Sequence, residues 1–246
     1  MPSETLITVC TFNEAENIGS LISELRHVAP DADILVVDDD SPDGTADLVK
    51  QQCKRDSKLH VLVRTENKGL GASTVDAFQY GIDHKYRYLL NLDADFSHQP
   101  KHIPDLIAAM ETHDISNGSR YVPGGSIRGW KWTRHVMSRC VNFYVHLWLR
   151  LKTKDSSGSF RCYHVSKLAE LDWQKTLSKG YAFQEEILYR CQRIGCSFKE
   201  IPIAFEDRTR GTTNLNGTEI LRAIWDLFKL GIHRIRKVSV KHDSEA

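Results

Sequence analysis

The sequence has no run of about twenty apolar residues, the length that a membrane-spanning helix needs. Its longest apolar candidate, Val141 to Leu151, is too short and carries His146 and Arg150, so any membrane contact is expected to be peripheral. An excess of one charge is also lacking. The 33 Lys plus Arg and 32 Asp plus Glu leave a net charge of +1, so no basic field gathers nucleic acid, and anion binding has to be local. Glycine and proline are sparse, at 15 and 7 of 246 residues, which excludes collagenous and low-complexity chains. None of the 6 cysteines forms a C-x-x-C motif, and the one close pair, Cys191 and Cys196, has no zinc-site spacing. Reduced, partly buried thiols are expected. The opening residues Met1-Pro2-Ser3-Glu4 lack a basic segment followed by an apolar run, and the expected location is cytoplasmic.

What is present is an ordinary globular composition, 41% hydrophobic and 26% charged, in a chain long enough for one large domain. Short apolar strands alternate with helical patterns: Leu6 to Phe12 and a helix holding Ile18, Leu21, Ile22 and Leu25; Ile34 to Val37 and a helix from about Asp43. His60 to Val63 with a helix from about Gly71, and Tyr88 to Leu92 with a helix from about His102, continue the series. This rhythm predicts an α/β fold with a mixed, mainly parallel sheet covered by helices on both faces. After Arg120 it breaks into a Pro123-Gly124-Gly125 loop and a long helix from about Thr133 to Leu151. A strand around Ser159 to His164, a helix from Phe183 to Ile194, a strand from Phe198 to Ala204 and a helix from about Thr218 to Ile235 follow. One domain over 1–236 is expected, with a nucleotide-binding half at about 5–120, an acceptor-binding half at about 121–236, and a polar tail at 237–246.

Asp93 and Asp95 close the apolar strand YLLNL, where side chains two apart share a side, so both carboxylates are expected to face one cation. The carboxyl edge of such a sheet is where ligands bind, and carboxylates are hard donors suited to Mg²⁺ or Mn²⁺ shared with substrate phosphates. Asp38, Asp39 and Asp40 end the second strand. Three adjacent carboxylates repel one another unless a ligand, a metal or hydrogen-bond donors use them; recognition of a nucleotide's base or ribose is one use, and Asp43 is expected to cap the following helix. The loop Asn67-Lys68-Gly69-Leu70-Gly71 permits close backbone approach to a ligand but lacks a dinucleotide fingerprint. Arg120, Arg128, Arg134, Arg139, Arg161 and Arg208 lie in or near expected loops and helix starts. Several of them converging would hold phosphates.

Together these segments resemble a known family. TVCTFNEAENI (8–18), VVDDDSPDGT (36–45), ENKGLGAS (66–73), NLDADFSHQP (91–100) and GSRY (118–121) are similar to inverting family-2 glycosyltransferases of the GT-A fold. SGSFRCY (157–163), GYAFQEE (180–186) and DRTRGTTN (207–214) narrow the resemblance to dolichyl-phosphate (polyprenyl-phosphate) mannose synthases. The resemblance implies that Thr11, Asn13, Glu14 and Asp39 line the base and ribose of the donor, with Lys68, Gly69 and Arg208 also on the donor side. Asp93 and Asp95 would hold Mg²⁺ or Mn²⁺ on the donor diphosphate, while Arg120, Arg134 and Ser138 would gather the acceptor phosphate. Asp93, Asp95, Arg120 and Arg208 form the implied catalytic set. The pattern departs at Thr213 and Asn214, where family members carry S-K; losing that ammonium removes a charge-assisted contact of about 1.5–3 kcal/mol, with Lys152, Lys154 or Arg210 as candidates to compensate.

The implied reaction is inverting transfer of a sugar, mannose from GDP-mannose, to a polyprenyl monophosphate, whose oxygen is already ionised near neutral pH. Transfer from another nucleotide sugar to a glycan or protein is an alternative, for which Glu185 or Glu186 would serve as base; a non-catalytic nucleotide-sugar-binding subunit is another. The helix over Thr133 to Leu151 has Met137, Cys140, Val141, Tyr144, Trp148 and Leu151 at helical spacing, with Phe143, Val145 and Leu149 widening the stripe. This fits core packing or a helix at a membrane interface. The C-terminal helix offers Ile220, Ile224, Leu227, Phe228 and Ile235, with Lys229, Arg234, Arg236 and Lys237 near its end. If neither helix binds lipid, a membrane partner subunit has to deliver the lipid acceptor.

Overall fold

The computed structural model describes residues 3–176, 178, 180, 182–207 and 225–232. Four βα units open the chain. The strands are β1 (Thr5–Thr11), β2 (Asp33–Asp38), β3 (Leu59–Val63) and β4 (Tyr88–Asp93), and the helices α1 (Ala15–Val28), α2 (Thr45–Cys53), α3 (Leu70–Asp83) and α4 (Ile103–Ala108). The second half adds β5 (Ile115–Ser119), β6 (Ser126–Arg128), α5 (Trp132–Leu149), β7 (Arg161–His164), α6 (Val165–Ala169), α7 (Phe183–Arg193), β8 (Phe198–Pro202) and β9 (Ala204–Glu206). Residues 225–232 are helical. Sequence periodicity misses β5 and β6. The first, ISNGS, is fully buried but polar, and the second is a mostly exposed three-residue strand, so neither shows an apolar signal.

The main sheet runs β3-β2-β1-β4-β7-β5-β8, and β6 pairs with β9 in a separate ribbon. Only β7 opposes its neighbours, being antiparallel to both β4 and β5. The sheet is therefore mainly parallel, as expected. Alternation along the strands feeds two cores. Ile7 and Val9, Ile34 and Val36, and Leu90 and Leu92 meet Ile18, Leu21 and Leu25 of α1, Val49 of α2 and Ile103 of α4. Leu6, Leu35, Val37 and Leu89 turn the other way, onto Phe78 of α3, Leu168 of α6 and Ile187 of α7. Each fully buried Leu or Ile stabilises the fold by roughly 1.5–3 kcal/mol relative to exposure.

A third cluster joins Val145 and Leu149 of α5 to Leu188 and Tyr189 of α7 and to Leu227 and Leu230. With cores on both sides, every residue of α7 from Phe183 to Cys191 is buried. The reduced thiols are as expected, and Cys191 and Cys196 meet through the end of α7. Gly195 is left-handed at φ +88°, and its N–H reaches the Gln192 carbonyl while Cys196 N–H reaches that of Cys191, each at 3.1 Å. This cap brings the flanking side chains into contact.

Asp43 works differently from expectation. Gly44, not Asp43, occupies the N-cap of α2. One oxygen of Asp43 takes Thr45 N–H at 3.0 Å, and the other takes Ala15 N–H at 2.9 Å, so the carboxylate joins the starts of two helices. These bonds hold it below the ordinary carboxylate range although partial burial pushes the other way.

Candidate active site

Loops after the first four strands share one edge of the sheet. Each contains a non-glycine residue at positive φ: Asn13 (61°), Asp40 (54°), Asn67 (50°) and Phe96 (60°). Such backbone persists where surrounding bonds fix it, and it concentrates at functional sites. Here the bonds are visible. Asp38, fully buried, accepts Thr11 Oγ1 at 2.7 Å and both Ser41 N and Oγ, at 2.8 and 2.7 Å. Asp39 accepts Arg64 Nη1, Ser73 Oγ at 2.8 Å and Gly69 N at 2.6 Å. Asp40 meets Lys68 Nζ at 3.0 Å. Hydrogen-bond donors within the protein thus relieve the repulsion among the three carboxylates. Asn13 N–H donates to Ser41 Oγ, and Glu14 N–H to Thr45 Oγ1 while its carboxylate accepts Asn17 Nδ2. Gly69 stands at φ +130°, a conformation only glycine adopts easily, which lets its N–H point at Asp39.

Asp93 ends β4, but Asp95 lies beyond the strand, in a turn. The expectation that strand alternation aligns the two carboxylates is corrected: the turn sets their relation. Asp93 Oδ1 accepts Ser159 Oγ at 2.6 Å, and Asp95 accepts Ser97 N–H at 3.0 Å. His98 Nδ1 accepts Asp93 N–H at 3.3 Å and lies 3.6 Å from Asp93 Oδ2. Burial pushes the His98 pKa down, against the pull of Asp93 and Asp95, so the imidazole is held neutral. Ser97 Oγ and Gln99 Oε1 are buried without hydrogen-bond partners among the described residues. No group of three or more His, Cys, Asp or Glu among the described residues is placed to hold a metal. Two hard carboxylates and unpartnered oxygens in one loop nevertheless suit a divalent cation that takes its other ligands from water and phosphate.

Arg120 follows β5 on the same edge. Its position depends on Gly125, where a Cβ would fall 2.6 Å from the Ser119 carbonyl oxygen. The guanidinium gives Nε and Nη2 to Asp155 at 2.7 and 2.6 Å and Nη2 also to Ser157 Oγ at 2.9 Å. Burial opposes its charge, but Asp155, followed by Tyr121 and Asp93, keeps its pKa raised. Arg120 lies 5.3 Å from the Trp130 ring centroid, and Arg134 lies 4.3 Å from it. Arg134 also pairs with Asp207 at 2.7 Å, and Ser138 Oγ accepts Tyr121 OH at 2.7 Å. His98 packs edge-on against Phe205, as Trp130 does, linking the aspartate loop to the two arginines. The fold thus gathers Asp93, Arg120, Arg134 and Ser138 from three stretches of chain.

Three other expected cations, Arg128, Arg139 and Arg161, do not join them. Arg161 is fully buried in β7, bonded to Asn117 Oδ1 at 3.0 Å and to the Gln184 and Ser156 carbonyls at 2.7 Å each, so it knits strands and loops rather than meeting ligand. Arg128 and Arg139 are exposed. Arg208, Arg210, Thr213 and Asn214 lie outside the described residues. Glu185 and Glu186 are not a surface pair. Glu186 accepts Ser178 N–H at 2.8 Å and Arg190 Nε at 2.8 Å. Glu185 is buried with Oε2 unpartnered among the described residues, and its pKa is raised to about 7 by burial, against the pull of Arg161.

A family model described as "Glycosyl transferase family 2" matches residues 6–172. The chain belongs to this family. It is accordingly a glycosyltransferase. The polyprenol monophosphomannose synthase of Mycolicibacterium smegmatis is 37% identical over 230 residues, spanning 93% of this chain and 87% of the relative. The undecaprenyl-phosphate mannosyltransferase of Micrococcus luteus is 36% identical over 227 residues, spanning 92% and 93%. Among solved structures, mannosyl-3-phosphoglycerate synthase from Rubrobacter xylanophilus superposes with a TM-score of 0.67 at 15% identity, covering 98% of this chain and 78% of that one. Glucosyl-3-phosphoglycerate synthase from Mycobacterium tuberculosis, in complex with Mn²⁺, UDP and phosphoglyceric acid, gives 0.66 at 14% identity, covering 97% and 80%. These likenesses establish the GT-A fold of this glycosyltransferase.

Motif reading missed Asp155, Trp130, Arg64 and His98. His98 stands inside NLDADFSHQP, and Asp155 two residues ahead of the SGSFRCY segment. The available signal for Asp155 was a lone acid in an otherwise polar, glycine-containing loop, which by itself more often means a turn.

Proposed function

We propose that this glycosyltransferase moves mannose from GDP-mannose to the phosphate of a polyprenyl phosphate, with inversion at the anomeric carbon. The observation that carries the reading is the placing of Arg120 and Arg134 against one aromatic ring, on the edge that also holds Asp93. Two guanidinium groups beside a carboxylate pair provide separate places for an anionic acceptor and a cation-linked donor. The names of the two relatives at 36–37% identity support the lipid phosphate and the mannosyl group. Thr11, Asn13, Glu14, Asp39, Lys68, Gly69 and Arg208 are assigned to the donor, and Ser138 joins the arginines at the acceptor.

In this reaction a phosphate oxygen attacks the anomeric carbon from the face opposite the nucleotide. The new C–O bond forms as the bond to the diphosphate breaks, and the diphosphate leaves with the electron pair. Asp93 and Asp95 are the residues that would hold Mg²⁺ or Mn²⁺, and when bound the cation neutralises charge on the leaving diphosphate. The acceptor phosphate is ionised near pH 7, its second pKa being about 6, so no base is required. Arg120 and Arg134 hold that charge in place for attack.

Glu185 favours a second reading, with a hydroxyl acceptor, because a carboxyl with a pKa of about 7 suits a general base. Its burial at 4% exposure weighs against contact with an acceptor. Labelled donor incubated with extracted membranes distinguishes the two readings. Label entering organic solvent and released by mild acid is expected; label found only in protein or polysaccharide overturns the lipid-phosphate reading. Competition by GDP and UDP tests the base.

Helix α5, which carries Arg134 and Ser138, also offers a surface for the lipid. No described helix is long and apolar enough to cross a membrane. Along α5, however, Trp132, Val136, Phe143 and Leu147 are all exposed, the last two at 67%. Val145 and Leu149, rather than Phe143, form the buried stripe. Trp225 and Ile232 add exposed apolar surface, and Phe228 between them stacks on Trp148 of α5 at 5.5 Å. Ile220, Ile224, Arg234, Ile235, Arg236 and Lys237 lie outside the described residues. Peripheral attachment to the cytoplasmic face of a membrane fits this arrangement.

A further inference from the structure

Trp130 is the side chain on which the two arginines meet, and neither the motifs nor the relatives assign it a role. Its ring receives Arg120 at 5.3 Å and Arg134 at 4.3 Å, with Phe205 packed against it at 5.4 Å. Two like charges at one ring repel each other. The ring's π face attracts both, and Asp155 and Asp207 neutralise them from outside.

The indole Nε1–H is buried and has no hydrogen-bond partner among the described residues. Buried donors are nearly always satisfied in native proteins, and an orphan costs stability, so this one calls for an acceptor from elsewhere. Arg120 points the same way. Asp155 and Ser157 take Nε and Nη2, and Nη1 has no hydrogen-bond partner among the described residues. Arg134 gives Nη1 to Asp207. Unused donors beside two guanidinium groups fit an oxyanion with several acceptor oxygens. A phosphate monoester has them; a neutral hydroxyl would leave most of these donors unpaired.

We propose that Trp130 is a ligand-contacting, specificity-determining residue: its indole N–H donates a hydrogen bond to an oxygen of the acceptor phosphate while its ring fixes Arg120 and Arg134 around that phosphate. This rests on the lipid-phosphate reading above. The N–H supplies one donor to a charged group, and the ring supplies the spacing of the two cations.

The test is calorimetric titration of the full chain with water-soluble geranyl phosphate, using wild type, Trp130→Phe and Trp130→Leu. A nucleoside diphosphate is titrated into the same preparations as a check on the donor site and on folding. Trp130→Phe keeps a ring and loses the N–H; it is expected to bind geranyl phosphate about tenfold more weakly, with nucleotide binding unchanged. Its acceptor KM rises while kcat is retained. Trp130→Leu loses the ring as well and binds more weakly still. If Trp130→Leu loses nucleotide binding too, Trp130→Phe alone carries the test. Geranyl phosphate binding retained in full by Trp130→Phe overturns the role of Trp130 and leaves the acceptor reading standing. Nucleotide binding by a wild type that ignores geranyl phosphate overturns the acceptor reading, and this proposal with it.

Discussion

Asp155 grips Arg120 from three directions: its Oδ2 accepts the Arg120 backbone N–H at 2.9 Å and Nε at 2.7 Å, and its Oδ1 accepts Nη2 at 2.6 Å. Its own backbone is held in turn. Asn117 Nδ2 donates to the Asp155 carbonyl at 2.6 Å, and Glu200 of β8 accepts Asp155 N–H at 3.0 Å. A loop between α5 and β7 is thereby locked to β5 and to Arg120 just after it. The guanidinium has one orientation imposed on it before any substrate arrives, which is how a binding group avoids the entropy cost of being ordered by its ligand.

Removing this carboxylate is expected to be expensive. Asp155→Ala leaves Arg120 buried at 9% exposure without its counter-charge, and breaking a buried pair from one side typically costs about 3–5 kcal/mol. Urea denaturation should show a lower midpoint with an unchanged slope. Burial raises the Asp155 pKa, yet Arg120 more than offsets this and holds it below the ordinary value of 3.8. The pair's stabilisation is therefore full above pH 3.8 and is lost as pH falls through the depressed value of the folded state. An Asp155→Ala midpoint equal to that of wild type at pH 7 would show that the pair contributes nothing net.

Glu185 carries the opposite sign. Its folded pKa of about 7 exceeds the ordinary 4.5, so the folded state holds a proton that the unfolded chain releases. The contribution is full below pH 4.5 and disappears as pH rises through about 7. A shift of this size corresponds to roughly 3 kcal/mol. Arg161 and Arg120 pull the Glu185 pKa down and Asp155 pushes it up, but burial outweighs them. Glu185→Gln should flatten the fall in stability between pH 5 and 8 and be more stable than wild type at pH 8. Parallel stability curves for the two proteins would rule out a shifted Glu185.

The assignment of a divalent cation to Asp93 and Asp95 predicts that nucleotide binding depends on metal. Calorimetry with GDP and with UDP, each with and without Mn²⁺ or Mg²⁺, should give tight binding only when metal is present. Asp95→Ala should abolish the difference. Wild-type affinity that is the same after exhaustive chelation would defeat the assignment.

Membrane attachment through α5 predicts flotation with anionic liposomes that weakens, without vanishing, as salt rises. Apolar burial is insensitive to screening, and attraction of cations to anionic lipid is not. Phe143→Ser with Leu147→Ser should lower flotation while leaving thermal stability nearly unchanged, because both side chains are exposed. No flotation at low salt would mean that a membrane partner delivers the lipid; resistance to alkaline extraction would mean an integral anchor.

Alternating apolar strands and helical periods by themselves determined the first half of the fold, because each βα unit writes its burial pattern locally: Leu6 and Ile7 face opposite cores, and Ile18, Leu21 and Leu25 share one helix face. Asp93 was legible for the same reason, closing the apolar strand YLLNL, whereas Arg120 was legible only through the GSRY motif of the resemblance. Tertiary structure decided the rest. Nothing local shows that β7 runs against its neighbours, or that the polar segment ISNGS is a buried strand, since hydrogen bonding to distant strands permits both. Nor does the sequence reveal that Asp39 is held by Arg64, or that Glu185 is buried. That depends on which side chains meet across long stretches of chain: Arg120 finds Asp155 35 residues away, and Arg134 finds Asp207 73 residues away. Charges are solvated in an unfolded segment, and only packing from several sides removes the water that would otherwise leave each of them unpaired and unshifted.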